Sequence, residues 1–330
     1  MNAILKGMAA LALASTLAGT ALAETINFGI ISTESQQNLR TKWQPFLDDM
    51  EKETDLEVEP FFATDYAGVI EGMRFGKVQM AWMGNKSAME AVDRAKGEVF
   101  AQSVPESGEA GYYSLILAPK DSALTSVDDL LKCDQSVNFG LGDPNSTSGF
   151  LVPMTFVFGA KGVDPKTCFN NVTNANHETN AMGVANGQLD AAANNTENLA
   201  LIEKNQPAAF EKIKIIWKSP LIPSDPLVWS QELSSETKDK LRTFVLGYGT
   251  DQSKGDKAAE LKTLAGLEWA PFRASTDDQL LPIRVMEVSK SMAQVNADAS
   301  LAADAKATKL KALEEQKASY EAKLATAPQG

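Results

Sequence analysis

The chain has 330 residues, 44% hydrophobic and 22% charged, with a formal charge of −12 from 31 basic and 43 acidic side chains. That balance excludes disordered and collagen-like classes and argues against a basic face for nucleic acid. One histidine, His177, and two cysteines, Cys133 and Cys168, exclude a zinc centre of four cysteines or of two cysteines and two histidines, and any site that needs two histidines.

Residues 1–23 carry Lys6, an apolar small-residue run from Met8 to Leu17, and an ending Ala21-Leu22-Ala23. This reads as a cleaved secretory leader. Ser15, Thr16, Gly19 and Thr20 dilute the run below the ~20 apolar residues a membrane span needs. Glu24 rather than a cysteine follows the cleavage point, so no lipid anchor is expected. Export to an oxidising compartment makes pairing of Cys133 with Cys168 the expected state, and two free buried thiols the alternative. A bridge would close a loop of about 35 residues and stabilise the fold by roughly 3–4 kcal/mol.

From Thr25 to Ile31 the sequence predicts a strand, and Trp43, Phe46, Leu47 and Met50 then recur at helical spacing. A strand over Leu56–Phe62, a helix over Tyr66–Phe75 and a strand over Val78–Met83 follow, which together predict a parallel α/β sheet. Gly111–Ala118 reads as one strand. A second α/β series runs from about Ser126 to Ile216, and after Trp229 the pattern reads as helical to the end. The segment Gly76–Gly84 is echoed by Gly187–Asn195 at an offset of 111 residues, either by chance or because two similar lobes repeat. In two similar lobes these turns would lie at the carboxyl ends of equivalent strands, where open α/β sheets place ligands. The Ala/Lys/Glu-rich tail, with Leu310, Leu313, Tyr320 and Leu324, either packs on its own domain or makes a homodimer through the C-terminal helices.

Four groups of residues carry candidate chemistry. In Gly140–Gly149 a strand enters a turn with Ser146, Thr147 and Ser148 ahead of a helical pattern. Free N–H groups and hydroxyls there suit an anion, but Ser146 or Ser148 could simply cap the helix. No lysine occupies the position a nucleotide-binding loop needs, and no cofactor or metal is indicated. Pro153 falls beyond the first turn and is expected to bend that helix. His177 stands between a strand and a helix, as a structural hydrogen-bonder or an anion contact. Glu197 and Asp225 either cap local backbone, hold a cation, or act as a hydrolytic acid pair. Tyr66 and Tyr112 are core residues by default.

Several runs carry a resemblance: Phe28–Leu39, Gly142–Pro153, His177–Asn180, Asn194–Asn198, Lys218–Pro223 and Trp269–Ser275. Over about residues 25–290 the chain resembles the periplasmic phosphonate-binding proteins of bacterial ABC transporters. The resemblance implies an α/β fold of class II periplasmic binding proteins, two α/β lobes joined by hinge strands, with C-terminal helices. Lobe 1 would comprise residues 24–120 and 219–290, lobe 2 residues 121–218, and the helical tail residues 291–330. It implies a protein that is no enzyme, captures 2-aminoethylphosphonate and passes it to a membrane permease. Ser146, Thr147, Ser148 and His177 would hold the phosphonate, Glu197 and Asp225 the ammonium, and Tyr66 and Tyr112 would contribute from lobe 1. The segment Trp82-Met83-Gly84 departs from the family, which often has a second aromatic there. Closure is expected as a hinge motion near Leu117 and Ser219. Two alternatives are a binding protein for phosphate, phosphite or an alkylphosphonate, and a periplasmic hydrolase using Glu197 and Asp225.

Overall fold

A computed structural model describes residues 24–327, so the leader expected over 1–23 lies outside the described residues. Among the described residues, thirteen strands form two large sheets and a small ribbon. They are β1 (Thr25–Ile30), β2 (Glu57–Phe62), β3 (Met80–Trp82), β4 (Gly97–Pro105), β5 (Gly111–Tyr112), β6 (Ser114–Pro119), β7 (Asn138–Leu141), β8 (Asn171–Asn174), β9 (Ala191–Asn195), β10 (Ile213–Lys218), β11 (Ile222–Pro223), β12 (Pro226–Ser230) and β13 (Trp269–Ala274). The first sheet has the order β13-β4-β12-β3-β1-β2 and the second β10-β6-β9-β7-β8, while β11 pairs with β5 alone.

The sheets are mixed, not parallel throughout. Strands β1, β2 and β3 run parallel, as do β7, β8 and β9, but β12 and β6 enter antiparallel. Each of those two strands arrives through the ribbon from the other half of the chain, which reverses its direction. The predicted strand Gly111–Ala118 divides accordingly: Gly111–Tyr112 belongs to the ribbon and Ser114–Pro119 to the second sheet. Strand β13 also interrupts the segment expected to be wholly helical. Trp269 and Phe272 are both buried in the first core from it, three residues apart across a register shift between Ala270 and Arg273, so the strand lacks the two-residue alternation that would mark it in the sequence.

Leu117 is buried inside the second sheet between Ala192 and Ile215, so the crossing lies earlier than expected. It runs through Gly111–Ser114 and Ser219–Pro223, where Ser114 N–H donates to Ser219 Oγ and Ser219 N–H to Ser114 O, both at 2.9 Å. A Cβ on Gly111 would lie 1.9 Å from Ile222 O, so the ribbon closes only around glycine.

The long helix Gln36–Thr54 shows how local sequence builds these lobes. Ser35 Oγ accepts from Asn38 N–H to start it, and Asp55 ends it in a left-handed conformation. Leu39, Trp43, Phe46, Leu47 and Met50 form its buried stripe against Phe28, Phe244 and Tyr248. In the second lobe, the helix following Ser146 is wide-turned over Thr147–Leu151 and Met154–Phe158. Pro153 sits between those stretches and cannot donate to Gly149 O, which instead accepts from Gly142 N–H at 2.7 Å. Cys133 and Cys168 are joined by a disulfide that ties the loop before β7 to the segment before β8.

The 111-residue echo is structural. Gln79 Oε1 accepts from the backbone N–H and side-chain amide of Asn27, and Asp190 Oδ2 accepts from both groups of Asn138. Gly72 O accepts from the N–H groups of Lys77 and Val78, and Gly183 O from those of Gln188 and Leu189. Gly76 and Gly187 have φ of +67° and +69°. The caps Ser35 and Asp65 recur as Ser146 and Asn176. Tyr66 therefore occupies in the first lobe the place of His177 in the second. Among the described residues no helix is long and apolar enough to cross a membrane.

Candidate functional site

Between the lobes lies a cavity of about 60 Å³, room for roughly four or five water-sized groups and so for a small solute, not a peptide. All eight residues singled out from the sequence line it: Tyr66, Tyr112, Ser146, Thr147, Ser148, His177, Glu197 and Asp225. Most stand just beyond strand ends: Tyr66 after β2, the three hydroxyl residues after β7, His177 after β8 and Glu197 after β9. This is the carboxyl edge of each sheet, where open α/β folds leave backbone groups free.

On the hydroxyl side the donors and acceptors can be followed atom by atom. Ser146 Oγ accepts from Gly149 N–H at 3.0 Å, so the capping role is real. Thr147 Oγ1 accepts from Lys86 N–H at 2.8 Å and Ser148 Oγ from Asn195 Nδ2 at 3.1 Å. Neither Thr147 nor Ser148 spends its own hydroxyl proton on a partner among the described residues. The N–H groups of Thr147 and Ser148 begin the helix and have no intrahelical acceptor. Capping and a donor cradle are therefore two uses of one turn.

Asn195 orients the histidine. Its Oδ1 accepts from Asn198 N–H at 2.7 Å, which turns Nδ2 towards Ser148 and to within 3.4 Å of His177 Nε2. Nε2 then accepts, and the ring proton belongs on Nδ1, which is buried without a partner. Burial pulls the His177 pKa down to about 4, so the ring is neutral at physiological pH.

On the carboxylate side, Asp225 Oδ1 accepts from Tyr112 Oη at 2.9 Å and from Asn85 Nδ2 at 3.2 Å. Gln279 Nε2 donates to Asn85 Oδ1 at 2.9 Å and holds that amide in place. Burial raises the pKa of Asp225 well above the usual carboxylate range, and the nearby Glu197 adds to the rise. Burial also lifts Glu197 to about 7, against the pull of a hydrogen bond from Trp269. A site that hydrogen-bonds its carboxylates and yet makes them costly to ionise is short of a positive charge.

The cost has a measurable sign. Glu197 titrates near its ordinary 4.5 when unfolded and near 7 when folded, so its contribution to stability is full below about 4.5 and lost as pH rises through 7. With the lobes closed by a solute that carries no cation, Glu197→Gln should match the unchanged chain in Tm at pH 4.5 and exceed it at pH 8. Calorimetric melts at the two pH values check this, and a constant difference would contradict it.

Several cavity residues escaped the sequence reading. Trp43 looked like ordinary helix core, and it is, yet with Trp82 and Trp269 it also lines the cavity, the three rings lying 5.5–5.6 Å apart. Lys42 and Glu34 form an ion pair at 2.6 Å on the cavity wall. Asn85 and Gln279, which support Asp225 without lining the cavity, are far apart in sequence, and nothing in their local sequence pointed to the site.

The profile of the family described as "ABC transporter, phosphonate, periplasmic substrate-binding protein" matches residues 28–280. The chain is 52% identical over 291 residues to the phosphonates-binding periplasmic protein of Escherichia coli K12, covering 87% of this chain and 84% of that one. It is 31% identical over 233 residues to a phosphate-import protein of Mycolicibacterium smegmatis, covering 67% and 71%. Among solved structures, a binding-protein component of an ABC phosphonate transporter from Pseudomonas aeruginosa superposes with a TM-score of 0.88 at 53% identity, over 92% of this chain and 99% of that one.

Proposed function

From the premise that this chain belongs to the periplasmic phosphonate-binding proteins of ABC transporters, we propose that its solute is 2-aminoethylphosphonate, carried to a membrane permease for import. The observation that carries this reading is the sharing of one cavity by a donor cradle and two carboxylates, Asp225 buried and Glu197 half-buried, that have no ion-pair partner among the described residues. A phosphonate suits Ser146, Thr147, Ser148 and His177, and the solute's ammonium suits Glu197, Asp225 and the Tyr112 hydroxyl bound to Asp225. Tyr66, beside the Ser146 hydroxyl, closes the cradle from lobe 1. An ammonium between Glu197 and Asp225 removes the penalty that burial places on both, while the phosphonate takes up the unused hydroxyl protons as charge-assisted bonds. The chain's net negative charge offers an anion no help, so affinity comes from these local donors.

Phosphate, phosphite or an alkylphosphonate would fill the cradle and leave two carboxylates buried beside an anion, at a cost of several kcal/mol. Calorimetric titration tests the choice, with phosphate run beside 2-aminoethylphosphonate. Tight one-to-one binding of the aminophosphonate and much weaker binding of phosphate is the expected result. Equal or tighter phosphate binding would reject the role given to Glu197 and Asp225.

A further inference from the structure

We propose that Glu178, which lies outside the cavity, sets solute affinity by latching the two lobes together. The proposal rests on solute capture between the lobes, not on which phosphonate is captured. Glu178 is in the first turn of the lobe 2 helix His177–Ala185. Its Oε2 accepts from the backbone N–H of Ser35 at 2.9 Å, and its Oε1 from Asn38 Nδ2 at 2.9 Å. Ser35 and Asn38 start the lobe 1 helix Gln36–Thr54. One carboxylate thus faces the positive ends of two helices that belong to different lobes. The backbone adds a contact, since Glu178 N–H donates to Thr33 O at 3.4 Å.

The same device appears at two more helix starts in lobe 1. Asp143 Oδ2 accepts from Tyr66 N–H at 3.1 Å, and Thr147 Oγ1 accepts from Lys86 N–H at 2.8 Å. The helix begun by Gly84 has no side-chain cap of its own, so Thr147 supplies one across the cleft. Three lobe 1 helices that face the cleft therefore receive an acceptor from lobe 2, and every one of these bonds is lost when the lobes part. Asp143 also closes its own turn through Asn145 N–H, and Thr147 belongs to the cradle, so neither can be changed cleanly. Glu178 can: its remaining partner is a distant amide, Gln206 Nε2 at 3.4 Å. A carboxylate on backbone N–H is a charge-assisted bond, and stabilising only the closed state tightens binding without touching the solute.

The test compares the unchanged protein with Glu178→Gln, using 2-aminoethylphosphonate, methylphosphonate and inorganic phosphate as probes. Affinity should fall roughly tenfold, the scale of one hydrogen bond to a charged group. The fall should appear mainly in the dissociation rate. It should be the same factor for each probe that binds, with the Tm of the ligand-free protein unchanged. A Kd within twofold of the unchanged protein would overturn the proposal. So would an equal fall in ligand-free Tm, which makes Glu178 a fold residue, or a loss confined to one probe, which places it in the site. Failure of 2-aminoethylphosphonate alone to bind would count against the solute proposed above and leave the Glu178 comparison intact with the other probes.

Discussion

Replacing Glu197 by alanine should weaken 2-aminoethylphosphonate by at least about thirtyfold, the lower end of the 2–5 kcal/mol expected when one partner of a buried, hydrogen-bonded charge pair is removed. Methylphosphonate should be held as well as before, or better. The contrast follows from what burial does to this carboxyl. Glu197 is pushed up to about 7 because it must ionise away from water, and Asp225 is raised by burial and by Glu197 itself. An ammonium relieves both penalties, and a methyl group relieves neither. Removing Glu197 therefore takes a partner from the first solute and only an unfavourable neighbour from the second. Parallel titrations of the two solutes against both proteins measure the ratio. Equal losses would contradict the ammonium role, even if the variant bound more weakly overall.

Gly142→Ala should weaken every phosphonate more than tenfold and lower the Tm by a few degrees. Overpacking costs of roughly 1–3 kcal/mol set that scale. A Cβ on Gly142 would lie 2.6 Å from Gly149 Cα and 2.8 Å from its carbonyl carbon. Both are backbone atoms, so no side chain can swing away. The two glycines are held together by the bond from Gly142 N–H to Gly149 O, and Ser146, Thr147 and Ser148 lie in the turn between them. Forcing the glycines apart moves the hydroxyls and the free N–H groups together, which is why the loss should ignore what the other end of the solute carries. Gly266→Ala is the control, since a Cβ there meets nothing within 4 Å. Its binding and melting should be unchanged. If Gly142→Ala bound normally, the donor cradle would not be where the hydroxyls place it.

The parts of this molecule that were legible in its sequence are those fixed by short-range patterns. The stripe of Trp43, Phe46, Leu47 and Met50 gives its helix away by spacing alone. The cap at Ser146 and the polar turns after strands point to the carboxyl edges where the cavity lies. Strand direction was not legible, because β6 and β12 owe it to a crossing between lobes that no local pattern encodes. Strand β13 was hidden for a related reason: two helices flank it and its partner β4 is far away in sequence. The assignment of particular solute groups to Ser146–Ser148, His177, Glu197 and Asp225 came from resemblance to a family. Residues alone left capping, cation binding and acid–base chemistry all open. Asn85, Gln279 and Trp269 joined the site only through folding, since their neighbours there come from distant segments.

The repeat at 111 residues divides the labour of the chain. Positions that hold each half in shape, such as Asn27 with Asn138 and Gly72 with Gly183, are alike in the two copies. Cavity-lining positions at two of the strand tips are not: Tyr66 answers to His177, and Gly84 to Asn195. Two identical halves facing each other would make a site with matching walls, suited to a symmetrical guest. Once the framework exists in duplicate, each copy can change its tips without endangering its frame. An unsymmetrical guest can then be met by altering a few residues at the rim, and the architecture is inherited whole.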